Sequence, residues 1–463
     1  MCRLRRFSHR PDTSGTITRN AVIDPQQWQA EGDITESAAA RGEVRKQAAK
    51  TTFRDVFAVR EFRALWLAQL LSVVGDQLAR VALTVLVYDR THSAFLAAVT
   101  FVTSVVPVFV GGVSLAWLAD RFPRRTVMIA CDLARCALVI VMAVRGVPLV
   151  VLVALLFLVT LIGAPFTAAR AATVADVLSG ESYVMGTAVT LTTNQFAQVI
   201  GFATGGAIAG FLGTPASLIA DAGTFAISAA IVAARVRLRG APVREVRRRQ
   251  SRGEGFLAGA RLVFSDPALR IPMFFGWLAA CYNASEGVAA PLARSLGGGA
   301  LTVGVILAAQ ALGETGGAIA FSRLVGTGTQ LRLMGPLAIG TCAVLACFGL
   351  RPGLLGCVLI LGASGACASY QLAANAAFVR AAPRHARSQA FGLAQGGMSL
   401  GQGLVMLVAG AAAGRYAPAW VIAACGSMGA ILAILIGIGW VRARKPGAHH
   451  LRSESLRKPE PLV

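Results

Sequence analysis

Charge is scarce in this chain of 463 residues and lopsided in sign: 14% of residues are charged, with 22 acidic against 44 basic and a formal net charge of +22. Lysine occurs only at Lys46, Lys50, Lys445 and Lys458, and none of these follows a glycine. A phosphate-binding loop needs Gly-Lys-Ser/Thr to reach the β- and γ-phosphates, so the chain encodes no nucleotide-driven pump. Histidine is also rare, at His9, His92, His385, His449 and His450, all in tails or connections. That argues against an intramembrane metal site and against histidine-based hydrolysis inside a bilayer. The nine cysteines form no CxxC, and all but Cys2 lie in apolar runs, where they read as small packing residues. With 55% of residues hydrophobic, too little polar surface remains to cover an aqueous exterior. A soluble enzyme is excluded.

What the chain has instead is apolar runs of about twenty residues, the length an α-helix needs to cross a hydrocarbon core of ~30 Å. Mean hydropathy is +0.63. The runs predict helices over 62–88, 94–119, 126–145, 147–169, 184–212 and 215–236, then over 271–293, 300–326, 331–350, 353–379, 388–413 and 416–441. The expected fold class is therefore an all-α integral membrane protein of 12 transmembrane helices in two six-helix repeats. Basic residues collect in alternate connections. One set holds Arg121, Arg124, Arg125, Arg170, Arg323, Arg332, Arg380, Arg384 and Arg387; the other holds Arg90, Arg145, Arg294, Arg351 and Arg415. The richer set shares its side with both termini, which the positive-inside rule assigns to the cytoplasm. This distribution explains the positive charge without nucleic acid.

Five regions follow. Residues 1–55 are polar, with no apolar core to a leader, and read as a disordered cytoplasmic tail; a start site closer to Phe53 is the alternative. Residues 56–236 form a first six-helix bundle and 271–441 a second. Between them, 237–270 is a basic cytoplasmic loop with Arg244, Arg247, Arg248, Arg249 and Arg252, in which 255–266 reads either as a short interfacial helix or as a solvated linker. Residues 442–463 form a cytoplasmic C-terminal tail.

Between the second and third helices runs Gly112-Val-Ser-Leu-Ala-Trp-Leu-Ala-Asp120-Arg121-Phe-Pro-Arg124-Arg125. An acid followed at once by a base, then two bases after a turn residue, resembles the cytoplasmic signature of the major facilitator superfamily. Phe62 to Asp76, Ala164-Pro165-Phe-Thr-Ala-Ala-Arg170-Ala and Ala258 to Pro267 resemble its twelve-helix drug and macrolide exporter branch, the drug:proton antiporters. The likeness covers roughly 55–441. Ala116 and Pro123 stand where the signature has glycine, and Phe202 replaces the proline of the antiporter motif at Gly201-Phe202-Ala-Thr-Gly205-Gly206. Ser322-Arg323 falls where the second half would repeat Asp120-Arg121, with the acid lost.

The resemblance implies a conformational latch of Asp120, Arg121, Arg124 and Arg125; a plain positive-inside loop is the other reading. Gly201, Gly205 and Gly206 serve helix packing, whether static or sliding. Ionisable groups inside a bilayer cost several kcal/mol, which makes each a functional candidate. Asp76 with Arg80 and Asp132 with Arg135 are spaced to neutralise each other on one helix, and Asp221 lies on the sixth. Glu286 has no base within a turn and lies about 24 Å along its helix from Arg270. Glu286, Asp76 and Glu314 are the proton-coupling candidates, and a structural pair between Glu286 and Arg80 is the alternative. The resemblance implies that helices one, four, seven and ten line the cavity, with Tyr282, Asn283, Gln371 and Asn375 as substrate contacts.

The expected function is export of a hydrophobic drug-like or secondary-metabolite molecule across a bacterial inner membrane by proton antiport. An uptake permease, a lipid or siderophore transporter, or a non-transporting sensor are the rivals. No catalysis, metal or cofactor is expected beyond the proton gradient. The expected partners are a small-molecule substrate and the lipid bilayer, with no nucleic acid and no ATP-binding domain in the chain, which is expected to work as a monomer.

Overall fold

The computed structural model describes residues 53–115, 117–240, 260–383 and 387–443. The expected tail of 1–55, most of the basic loop and the C-terminal tail thus lie almost wholly outside the described residues. After a short helix, Phe53–Ala58, the first half comprises α1 (Arg60–Thr91), α2a (Ala94–Thr103), α2b (Val106–Ser114), α3 (Arg124–Ala143), α4 (Leu149–Val177), α5 (Gly180–Phe211) and α6 (Thr214–Arg235). The second half comprises α7a (Pro267–Trp277), α7b (Ala279–Tyr282), α7c (Ala284–Gly287), α7d (Ala289–Ser295), α8 (Ala300–Leu324), α9 (Thr327–Leu345), α10a (Leu354–Cys367), α10b (Tyr370–Ala381), α11 (Arg387–Ala413) and α12 (Pro418–Ala443). No strand occurs among the described residues.

Among the described residues, nine helices are long and apolar enough to cross a membrane. The other three of the twelve depart for visible reasons. At 32 residues α5 is long enough, but Thr187, Thr190, Thr192, Thr193, Asn194, Gln195 and Gln198 dilute its apolar content. The second helix, expected unbroken over 94–119, breaks after Thr103; Pro107 in the first turn of α2b cannot donate back to the preceding turn. The seventh, expected unbroken over 271–293, falls into four pieces from Pro267 to Ser295, with Pro272 and Pro291 inside them. Such broken backbone is tolerated at membrane depth only where protein or a cavity surrounds it. The tenth helix is likewise split near Ala368–Ser369.

In the first half α1 packs on α5 and α6, and α3 on α4 and α6; in the second, α8 packs on α10a and α9 on α12. The halves meet through α5 against α8 and α2a against α11. Gly206 and Gly304 bring α5 and α8 into backbone contact: a Cβ at 206 would stand 2.6 Å from the Gly304 Cα. Gly410 of α11 sits against Ala94, Phe95 and Ala98 of α2a in the same way. Arg294, at the end of α7d, donates to Asp89 near the end of α1 through Nε at 3.0 Å and Nη2 at 2.6 Å to each carboxylate oxygen. By chain direction all three contacts lie toward the end of the bundle opposite the termini. The largest apolar core joins the halves, with Phe101 and Phe202 of the first packed among Phe275, Tyr282 and Tyr370 of the second. The outer faces expose Leu191, Phe211, Leu355, Leu404 and Ile431, as a chain dissolved in lipid does. The eight described cysteines are all free.

Candidate functional site

Two polar clusters occupy the apolar interior, one in each half. In the first, α1 and α3 both pack on α6, and the long side chain of Arg135 spans from α3 to α1. Arg135 of α3, 3% exposed, donates through Nη2 to Asp76 Oδ1 at 2.5 Å and through Nη1 to Ser72 Oγ at 3.1 Å. Its guanidinium carbon lies 4.0 Å from the centre of the Phe225 ring of α6, an electrostatically favourable seat for a cation. The expectation that Asp76 pairs with Arg80 and Asp132 with Arg135 along single helices is therefore corrected. Packing gives the shorter route across helices: Asp132 turns to α6, where Ser228 Oγ donates to its Oδ2 at 2.6 Å.

Asp221, 1% exposed, approaches from α6, with Gly75 of α1 leaving the space its carboxylate occupies. Its Oδ2, like Asp132 Oδ1, has no hydrogen-bond partner among the described residues. A cavity of about 120 Å³ is lined by Ser72, Asp76, Arg80, Ser104, Arg135 and Asp221. Arg80 lies at its edge, with Nη2 3.4 Å from the Ser104 carbonyl and its guanidinium 5.2 Å from the Phe101 ring centre. Its charge is felt by both Asp76 and Glu286, so it sits electrostatically between the two clusters.

The second cluster forms where α7 is broken. The short pieces α7b and α7c turn Tyr282, Asn283, Ser285 and Glu286 toward α8 and α10b. Gln310 of α8 is the centre: its Nε2 donates to Asn283 Oδ1 at 2.8 Å and, weakly, to Glu314 Oε1 at 3.4 Å, while its Oε1 accepts from Ser285 Oγ at 2.8 Å. Gln371 Nε2 reaches the Gly276 carbonyl at 3.2 Å and Tyr282 Oη at 3.3 Å. Glu286 and Glu314 lie close enough for their charges to repel, and the charge of Arg80 also acts on Glu286. No ion pair joins Glu286 to Arg80 among the described residues. Gln371 and Asn375 also line a cavity of about 350 Å³ with Trp277, Phe391, Gln395 and Met398, toward the end of the bundle that carries the termini.

Of the expected proton-coupling and cavity positions, Asn283 and Glu314 are bonded through Gln310, Tyr282 and Gln371 bond each other beside them, and Glu286 lies near Glu314 without a side-chain hydrogen bond among the described residues. Asn375 lies apart, in the cavity beside it. Asp76 belongs to the other cluster. Gln310 and Ser285 were not singled out from sequence; a glutamine four residues before Glu314 on the same face was the available signal. Arg135, read as a local partner of Asp132, proves to be the base of Asp76.

Of the expected latch residues, Arg121, Arg124 and Arg125 make their contacts within their own half. Arg124 pairs with Asp176 of α4 and donates to the Ala172 carbonyl at 3.2 Å; Arg125 donates to the Ala233 carbonyl near the end of α6 at 2.5 Å. Arg121 lies 5.8 Å from the ring centres of Trp117 and Phe122. Asp120 stands in the single turn Leu118–Arg121, and its side chain lies outside the described residues. Asp176 was missed because 52 residues separate it from Arg124. Gly201 and Gly205 pack on Gln77 and Leu78 of α1, and Gly206 on α8.

The model of the Major Facilitator Superfamily matches residues 65–366 and 287–462. Among curated proteins, none matches this sequence. In fold, the chain is similar to a POT family transporter solved in complex with 5-aminolevulinic acid, with TM-score 0.68, 11% identity, and coverage of 86% of this chain and 98% of that one. It is similar to the nucleoside transporter NupG, with TM-score 0.61, 15% identity and coverage of 82% and 100%. It is also similar to a bacterial homologue of the iron transporter ferroportin in an inward-facing state, with TM-score 0.62, 13% identity and coverage of 83% and 99%.

Proposed function

The chain belongs to the major facilitator superfamily, and from that premise we propose that it exports a hydrophobic, drug-like or secondary-metabolite molecule across a bacterial inner membrane in exchange for protons. It is a multi-pass membrane transporter by family and fold. Cargo, direction and ion are our reading. The observation that carries it is the second cluster: beside the broken α7, Glu314 accepts weakly from Gln310 and Glu286 stands within reach of its charge, neither carboxylate in an ion pair among the described residues. A carboxylate held at membrane depth without a fixed counter-charge can take up and release a proton as its surroundings change.

In this reading the side of the termini is cytoplasmic, and the contacts of α5 with α8 and of Asp89 with Arg294 close the outer face. Substrate enters from the cytoplasm near Gln371 and Asn375. Proton binding and release at Glu286, assisted by Glu314 and sensed by Arg80, exchange with cargo as the halves rock. Arg121, Arg124 and Arg125, with Asp120, act as the cytoplasmic latch. The greasy surroundings and few fixed charges suit an amphipathic organic molecule better than a sugar or a phosphate ester. The protein works as a monomer in this scheme.

The test is efflux of a cationic dye from a drug-sensitive bacterial host, comparing wild type, Glu286→Gln and empty vector with and without a protonophore. Wild-type efflux that the protonophore abolishes and Glu286→Gln lacks is the expected result. Dye loss at the empty-vector rate in every strain, with membrane expression confirmed, rejects broad export and turns the assay to tracer uptake.

A further inference from the structure

At the end of the bundle that carries the termini, the two halves present arginines in matching places and satisfy them differently. In the first half α3 packs on α6, and Arg124 and Arg125 at the start of α3 are held by Asp176 and by the Ala233 carbonyl. In the second half α9 packs on α12, and Arg332 near the start of α9 shares one groove with Arg442 at the end of α12. Both guanidinium groups are exposed, and neither forms an ion pair among the described residues. From residue 267 to 443 the acidic residues are Glu286 and Glu314 alone, both committed to the second cluster. Near the end of α10b, where α4 carries Asp176, stands Arg380.

The groove beneath these arginines is about 480 Å³ and apolar. Ile339 of α9 and Ile434 and Ile438 of α12 line it, and Gly335 and Gly437 open onto empty space rather than a neighbouring side chain. We propose that this groove binds an acidic glycerophospholipid, its phosphate held between Arg332 and Arg442 and its acyl chains laid along the isoleucines. The lipid phosphate takes the place that Asp176 fills in the first half. A soluble anion would leave the trough empty, and a zwitterionic lipid brings its own cation to the arginines; only an acidic lipid answers both charge and shape. The inference is independent of cargo and of transport direction.

The test uses the full-length protein in detergent, titrated with dioleoyl phosphatidylglycerol, dioleoyl phosphatidylcholine or sodium phosphate, and read by native mass spectrometry and thermal unfolding. Wild type is expected to hold phosphatidylglycerol roughly tenfold more tightly than phosphatidylcholine, with no stabilisation by inorganic phosphate. Arg332→Gln combined with Arg442→Gln abolishes the preference. Arg351→Gln combined with Arg415→Gln, an equal loss of charge at the opposite end, keeps it. Gly437→Trp leaves both arginines but fills the trough and weakens phosphatidylglycerol binding. Equal binding of the two lipids by wild type overturns the proposal, as do a preference that survives the Arg332/Arg442 pair, a preference lost equally in the control pair, binding untouched by Gly437→Trp, or stabilisation reproduced by phosphate alone.

Discussion

The two halves hold charge at membrane depth in opposite ways. In the first, Asp76, Asp132 and Asp221 surround Arg135, which is buried, hydrogen-bonded twice and stacked on Phe225. In the second, Glu314 joins a network of neutral amides and hydroxyls, and Glu286 stands beside it; neither carboxylate is in an ion pair among the described residues. A cation fixed among carboxylates is a fastener, since losing either partner strands the other. Carboxylates among neutral donors can change protonation without breaking the fold. In the proposed function one half thus uses its buried charge as a fastener and the other to carry the proton, with the charge of Arg80 acting on both.

The sharpest way to break this comparison is at Arg135. Arg135→Gln is expected to destabilise the protein by about 2–3 kcal/mol, short of the ~3–5 of a fully buried pair because Asp76 retains a 36% exposed side chain. Thermal unfolding in detergent checks it, and adding Asp76→Asn should recover part of the loss. Glu286→Gln, in contrast, should cost less than ~1 kcal/mol in the same assay while removing coupled efflux. Equal destabilisation by both would erase the distinction between the halves.

A smaller effect is expected where the halves touch. Gly206→Leu forces side-chain bulk against the Gly304 backbone, which should cost about 1–3 kcal/mol. It should also open the end away from the termini, read as faster labelling of a cysteine placed at position 296. The smallest is at Asp89. Its pair with Arg294 is 40–45% exposed on both sides, so Asp89→Asn should change stability by no more than ~0.5 kcal/mol. Spin-label distances between the ends of α1 and α7d should nevertheless lengthen, because this pair bridges the two halves.

Much of the architecture was legible because the bilayer sets one length scale and hydropathy reports it directly. Helix starts at Arg124, Ala300 and Pro418 fall within two residues of expectation. The breaks in α2 and α7 escaped the same reading, since an average over twenty residues cannot see one proline withdraw a donor. The candidate residues were nameable because so few ionisable groups enter the apolar runs. Their partners were not. Spacing on one helix suggests only i, i+3 and i, i+4 pairs, whereas Asp76 and Arg135 are 59 residues apart and Asp132 and Ser228 are 96 apart. Gln310 was passed over for a related reason: an uncharged amide draws no attention until the structure shows three groups converging on it.

The polarity of α5 bears on how the protein is made. A segment so rich in threonine, asparagine and glutamine partitions poorly into lipid by itself. Its glycines press it against α1, which the ribosome delivers more than a hundred residues earlier. Membrane integration of α5 is then an act of docking onto a helix already in place, so that biogenesis and tertiary folding coincide at that step.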